Sequence, residues 1–267
     1  MFGAILGDII GSVYEFSEIK TKKFRFFAPG SDYTDDSIMT IAVAQALLDY
    51  RREGTPFSEA VVKRMREFGR RYPHPMGAYG GGFSRWLRSP DPKPYNSIGN
   101  GSAMRVSACA WAAHSLEEAL ELAKQSAEVT HNHPEGIKGA QATCACAYLA
   151  RTGKSKDEIR AYVRENFYPL EKTIDQWREE GGFNDTCQGT VPPAIEAFLA
   201  ADSYEDAIRN CISTGGDADT IASITGGIAE AFFGVPEEMK QEAIRLLPED
   251  LLSVVLDFEA YVQGENA

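Results

Sequence analysis

Apolar residues recur at helical spacing in segment after segment of this chain, and that succession constrains its fold more than any other feature. Residues 36–51 and 57–70 carry the pattern, and so do 102–113, 116–129, 135–151 and 156–168. Pro192 and Pro193 open an alanine-rich run to Ala201, after which 204–213, 219–233, 237–247 and 250–262 resume it. Ser115 ahead of Glu118, and Pro134 ahead of Glu135, mark helix starts. Nowhere does an alternating, β-branched stretch last long enough to demand a sheet. The expectation is an all-α bundle. No fixed-period repeat points to a solenoid. The stretch 77–101, rich in Gly, Pro, Ser and Asn with Trp86 and Tyr95 interspersed, reads as a long ordered loop.

With 267 residues, 43% of them hydrophobic, the chain suffices for one substantial core, and no linker or low-complexity tract divides it, so residues 1–267 are read as a single domain. A formal net charge of -12 argues against broad nucleic-acid binding, which needs clustered Lys and Arg. No apolar run approaches the length of a membrane span, and Asp8 interrupts the only N-terminal stretch that resembles a signal peptide. The 5 cysteines lack the spacing of a disulfide scaffold. A cytoplasmic protein with reduced thiols is the expectation, with a monomer favoured.

Two short acidic stretches carry the chemistry. Thr34-Asp35-Asp36 and Asp217-Ala218-Asp219-Thr220 each combine carboxylates with a hydroxyl where a loop turns into a helix. Asp is an ordinary helix cap, so two independently capped helices that never meet would account for both. If the two starts converge, their carboxylates repel unless a cation joins them, and an oxygen-only donor set selects Mg²⁺ or Mn²⁺ over Zn²⁺. Gly215 and Gly216 give the second stretch its tight turn. Asn96 to Arg105, with Gly99-Asn100-Gly101 at its centre, offers backbone N–H groups and a guanidinium to an anion. Glu15 is a lone acid at the end of an apolar run. Asp32-x-x-Asp35-Asp36 also suggests a Mg²⁺-dependent diphosphate enzyme of terpene-synthase type, although Asp217-Ala218-Asp219 lacks the helical spacing of that class's second motif.

Taken in order, Gly7-Asp8-Ile9-Ile10-Gly11 with Glu15, Thr34-Asp35-Asp36, Gly99-Asn100-Gly101-Ser102-Ala103-Met104-Arg105, Thr130-His131-Asn132-His133-Pro134 and Gly215 to Thr220 resemble the ADP-ribosylglycohydrolase family. The resemblance implies a compact orthogonal helical bundle around a central cleft. Two Mg²⁺ or Mn²⁺ ions would be held there by Thr34, Asp35, Asp36, Asp217, Asp219 and Thr220. It further implies Glu15 as acid/base, with Asp35 and Asp36 in the catalytic group. Asn100, Gly101, Ser102, Met104 and Arg105 would line the diphosphate and ribose, His131 and Gly215 would contact the ligand, and Tyr79, Gly80, Gly81 and Phe83 would belong to a loop over the distal ribose. The implied activity is hydrolytic release of ADP-ribose from a protein, nucleic-acid or small-molecule acceptor. A non-catalytic ADP-ribose-binding relative is the alternative.

Overall fold

The computed structural model describes residues 1–265. Its helices, in chain order, are α1 (Phe2–Gly11), α2 (Asp35–Glu53), α3 (Phe57–Arg71), α4 (Gly81–Arg88), α5 (Ser107–Ala112), α6 (Leu116–Glu128), α7 (Pro134–Arg151), α8 (Lys156–Asn166), α9 (Ile174–Glu180), α10 (Cys187–Leu199), α11 (Tyr204–Ile212), α12 (Ala218–Phe233), α13 (Glu237–Leu246) and α14 (Glu249–Glu265). Among the described residues the only β pairing is two isolated bridges, Thr34 with Met76 and Gly99 with Thr186. The all-α expectation holds.

The centre of the fold is the pair α1 and α12. Every residue of α1 is buried, as is α12 from Ala218 to Glu230, so each is wrapped by protein on all sides. What lets them approach is a glycine stripe at i, i+4 spacing on α1. A Cβ on Gly3, Gly7 or Gly11 would stand 2.4, 1.9 or 2.5 Å from the carbonyl oxygens of Gly226, Ala222 and Ala218 respectively. No side chain fits between these backbones. The contact brings the C-terminal end of α1, with Asp8, beside the N-terminus of α12, with Asp217 and Asp219.

Around this pair, α2 contributes a buried run from Asp36 to Ala44 and ends at Gly54, whose φ of 73° is the left-handed cap that glycine favours. Helix α7 packs on α6, α10 and α12, and α10 lies against α11 and α12. The bridge at Gly99 ties the preceding loop to the start of α10, through Asn100 N–H to Asp185 O (2.8 Å) and Cys187 N–H to Ile98 O (2.9 Å).

Several sequence expectations are corrected. Residues 102–113 are not one helix. Asn100–Ser102 forms a 3-10 turn in which the Asn100 carbonyl takes both the Ala103 and Met104 N–H groups, and α5 begins only at Ser107. The loop 77–101 contains α4, because Phe83, Trp86 and Leu87 give it an apolar face that is buried. Pro192 and Pro193 lie inside α10, which starts earlier under the Thr186 cap. The short α9 has no buried residue and is held at its start by a reciprocal Thr173–Gln176 capping box, a signal hydrophobic periodicity does not carry.

Candidate active site

Thr34 caps α2: its hydroxyl accepts from the Asp36 N–H and donates to Asp8 Oδ1 at 2.7 Å. Asp8 also accepts from Thr34 N–H (2.9 Å), from Ser37 N–H (3.0 Å) and from the Ser37 hydroxyl. A buried carboxylate thus grips the first turn of α2 from a neighbouring helix. With its oxygens engaged by these donors, Asp8 orients Asp35 and Asp36 and has little capacity left to ligate an ion itself.

The two acidic helix starts do meet. Thr220 Oγ1 donates to Asp36 Oδ2 at 3.1 Å, and Thr220 N–H to Asp219 Oδ1 at 2.9 Å. Asn100 Nδ2 donates to Asp217 Oδ2 at 2.6 Å, joining the 3-10 turn to the same cluster. Carboxylate oxygens of Glu15, Asp217 and Asp219 lie within 4.8 Å of one another, as do those of Asp8, Asp36 and Asp219. Asp219 is common to both groups.

Such crowding is costly. Burial, then the neighbouring carboxylates Asp8 and Asp217, holds the Asp35 carboxyl well above its ordinary range; burial and the charges of Asp8, Asp35 and Asp217 do the same to Asp36. Asp219 is pushed up likewise by burial and by Asp36 and Asp217. Asp36 Oδ1 is buried with no hydrogen-bond partner. An unsatisfied buried carboxylate oxygen inside a cluster of oxygen donors is what a hard divalent cation would relieve, and no His or Cys is among the ligand candidates. The residues fit a hard divalent cation.

Glu15 stands at the edge of this cluster, half-buried. Burial, followed by the charges of Asp217 and Asp8, raises its carboxyl to about 7. A carboxyl poised there can give or take a proton near neutrality.

These residues line a cleft of about 420 Å³. Glu15, Asp35, Asp36, Asp217, Asp219 and Thr220 occupy it together with Asn100, Gly101, Met104, Arg105 and His131, and Tyr79, Gly80, Gly81 and Phe83 form another part of its wall. Three expected site residues stand elsewhere. Thr34 is buried behind the cleft wall, engaged with Asp8. Ser102 is turned into the core, donating to Gly136 O at 2.7 Å. Gly215, at a φ of 71°, borders a separate neighbouring recess with Trp177 and Pro193.

Sequence reasoning also missed residues. Asp8 lies within Gly7–Gly11, where the sequence assigns it no role, and the fold shows that it holds the first turn of α2. Tyr95, Asp185 and Phe183 line the cleft from loops that carry no periodic signal. Phe16 and Phe183, 74% and 54% exposed, flank it with uncovered aromatic surface.

The comparison with known proteins decides the family. The family model described as ADP-ribosylglycohydrolase matches residues 1–265. The chain belongs to the ADP-ribosylglycohydrolase family. Among curated relatives of this glycohydrolase, human ADP-ribosylhydrolase ARH3 is 28% identical over 331 residues, covering 94% of this chain and 90% of its own. ADP-ribosylarginine hydrolase Tri1 of Pseudomonas putida (strain GB-1) is 25% identical over 272 residues, covering 88% of this chain and 70% of its own. A solved structure titled ADP-ribosylglycohydrolase-related protein complex superimposes with a TM-score of 0.66 at 22% identity, covering 96% and 95% of the two chains, and establishes the shared fold. Membership of this family removes the terpene-synthase-type alternative. No helix among the described residues is long and apolar enough to cross a membrane.

Proposed function

We propose that this glycohydrolase releases ADP-ribose from a modified acceptor by hydrolysing the N- or O-glycosidic bond at C1 of the distal ribose. The observation that carries the reading is the convergence of Asp35, Asp36, Asp217 and Asp219 with Glu15 in one cleft that also holds the Gly99–Gly101 turn. The names of the relatives, ADP-ribosylhydrolase and ADP-ribosylarginine hydrolase, point the same way.

In this reading Asp35, Asp36, Asp217, Asp219 and Thr220 would hold two Mg²⁺ or Mn²⁺ ions, and Thr34 fixes the loop that presents Asp35 and Asp36. Bound there, the ions would polarise ribose hydroxyls and lower the pKa of a water. The chain's own groups do the rest. The turn meets the diphosphate at Gly101, since the Asn100 N–H is spent on Asp185 O and the Gly99 N–H on the Ser97 hydroxyl, and Tyr79 and Phe83 close off the ribose. Glu15 takes a proton from the attacking water as its oxygen bonds to C1. The C1–acceptor bond breaks with its electron pair going to the acceptor, which takes up the proton that Glu15 accepted. The transition state has oxocarbenium character, as in other glycoside hydrolyses. The buried, free cysteines favour a cytoplasmic enzyme, and we take the working form as a monomer.

Incubation with ADP-ribosyl-arginine, ADP-ribosyl-serine and ADP-ribosylated DNA, with Mg²⁺ or with EDTA, tests metal, reaction and acceptor together. Free ADP-ribose released from at least one substrate, and only without EDTA, is the expected result. Binding of ADP-ribose with no release from any substrate would make the chain a non-catalytic binder.

A further inference from the structure

Arg105 is fully buried, and among the described residues its hydrogen bonds go to carbonyls and hydroxyls, with no carboxylate partner. It donates to Gly101 O (3.1 Å), Ser126 O (2.6 Å) and Thr130 Oγ1 (2.9 Å). Thr130 is itself buried, and its Oγ1 lies 2.7 Å from His131 Nδ1. The backbone here is pinned from both sides: His131 N–H donates to Ala127 O at 2.7 Å, and Thr130 O accepts from Tyr95 N–H at 3.1 Å.

A threonine hydroxyl has one proton to give. Having received a hydrogen bond from Arg105, Thr130 Oγ1 can direct that proton to His131 Nδ1 at 2.7 Å or to Ala127 O at 3.5 Å, the outer limit of a hydrogen bond. The shorter contact wins, so Nδ1 is an acceptor and the ring proton sits on Nε2. Nε2 faces the cleft beside the Gly99–Gly101 turn: a Cβ on either glycine would stand 3.4 Å from it. The opposite tautomer would aim the hydroxyl proton at the distant carbonyl and turn a bare Nε2 lone pair towards any anion in the cleft. Burial, then the Arg105 charge, holds the His131 pKa well below the usual value, so the imidazolium form does not intervene.

We propose that Arg105 and Thr130 are positioning residues that fix the proton of His131 on Nε2, making the ring a hydrogen-bond donor to an oxygen of bound ADP-ribose. The donor role rests on the function proposed above; the tautomer does not. Arg105 thereby serves the ligand through two intermediaries, the Gly101 carbonyl and the Thr130 hydroxyl, although its own donors are spent inside the protein.

Long-range ¹H–¹⁵N NMR of uniformly ¹⁵N-labelled protein at pH 7, with the His131 signals assigned by loss in His131→Gln, reads the tautomer directly. The wild type should show the Nε2–H form; Thr130→Ser should keep it, and Thr130→Val should lose its dominance. Calorimetry with ADP-ribose and Mg²⁺ should find affinity unchanged within about twofold in Thr130→Ser and about tenfold weaker in Thr130→Val, the effect of about one hydrogen bond. A wild-type ring protonated on Nδ1, or on both nitrogens, overturns the relay, and this measurement needs no variant to fold. A Thr130→Val protein with unaltered tautomer and affinity also overturns it. If the wild type shows the Nε2–H form but binds no ADP-ribose, the function proposed for the cleft fails while the tautomer assignment stands.

Discussion

Thr220 Oγ1 donates to Asp36 Oδ2 at 3.1 Å, joining two helix starts 184 residues apart in sequence. The bond leaves Asp36 Oδ1 as the free, buried oxygen of that carboxylate. Thr220 therefore orients a proposed ligand in addition to standing among the ligands. Thr220→Val should weaken Mn²⁺ binding by about 10- to 100-fold, the usual cost of losing an outer partner of a metal ligand. Thr220→Ser should recover most of it. Titration of Mn²⁺ by electron paramagnetic resonance measures both, and equal affinity in wild type and Thr220→Val would remove this role.

Glu15 offers a separation of chemistry from binding. Its carboxyl stands at the cleft edge, raised to about 7 by burial and by Asp217 and Asp8. Glutamine keeps the shape and removes the proton transfer. Glu15→Gln should lower kcat by about 10²- to 10⁴-fold, with ADP-ribose affinity changed less than about tenfold. A variant with wild-type turnover would exclude Glu15 as the proton carrier.

The carboxylate cluster should make the fold depend on cations. Asp35, Asp36 and Asp219 are held together against their mutual repulsion, so a cation that binds only the folded state stabilises it. At 100 times its Kd the gain is about 2.7 kcal/mol. Thermal unfolding after EDTA treatment should show a Tm that climbs with added Mg²⁺ or Mn²⁺ in the wild type and much less in Asp36→Asn. A Tm indifferent to both ions would count against a metal centre.

How much of this was legible beforehand depends on what each feature leaves in sequence. Asp35, Asp36, Asp217 and Asp219 were visible because carboxylates and hydroxyls crowd a helix start, yet local reading could not say that the two starts meet. That requires the α1–α12 contact, whose glycine stripe has meaning only once the partner backbone is in view. Ser102, which the resemblance implies at the diphosphate and ribose, turns its hydroxyl to Gly136 O, an orientation set by the 3-10 turn that no local sequence signal carries. Helix α1 escaped as a helix because an all-round apolar run has no amphipathic face to betray its period. Asp8 reads as an interruption of that run; its role lies in four donors from residues 34 and 37.

Away from the site, Asp49 and Arg64 give a pH signature. Burial alone would raise the Asp49 carboxyl, but hydrogen bonds from Arg64 (2.6 and 2.9 Å) and Gln45 (3.1 Å) outweigh it and leave the pKa lowered. A carboxyl with a depressed folded pKa contributes stability that is present above its unfolded pKa, about 3.9, and is lost as pH falls through the folded value. Asp49→Asn should cost about 1.5 to 3 kcal/mol at pH 7. The gap between the two proteins should narrow below about pH 4. Urea unfolding at pH 7, 5 and 3 measures it; a gap that widens towards acid would reverse the assignment.

The α1–α12 contact makes the sharpest demand on a single atom. At Gly7 an added methyl would lie 1.9 Å from Ala222 O and 2.4 Å from its carbonyl carbon, both backbone atoms that no rotamer change can move. The helices must separate, and separation carries Asp8 and Glu15 away from Asp217 and Asp219. Gly7→Ala should therefore destabilise the fold by about 1 to 3 kcal/mol, the range for overpacking a filled core, and weaken Mn²⁺ binding in the same protein. Gly54→Ala is the control. It places its methyl in open space at a left-handed cap with φ of 73°, so it should strain the backbone and leave the cleft untouched. Loss of stability in both variants, with loss of Mn²⁺ affinity in Gly7→Ala alone, is the expected pattern in parallel urea unfolding and Mn²⁺ titration. Wild-type Mn²⁺ affinity in Gly7→Ala would show that the close approach of these helices does not set the geometry of the acids.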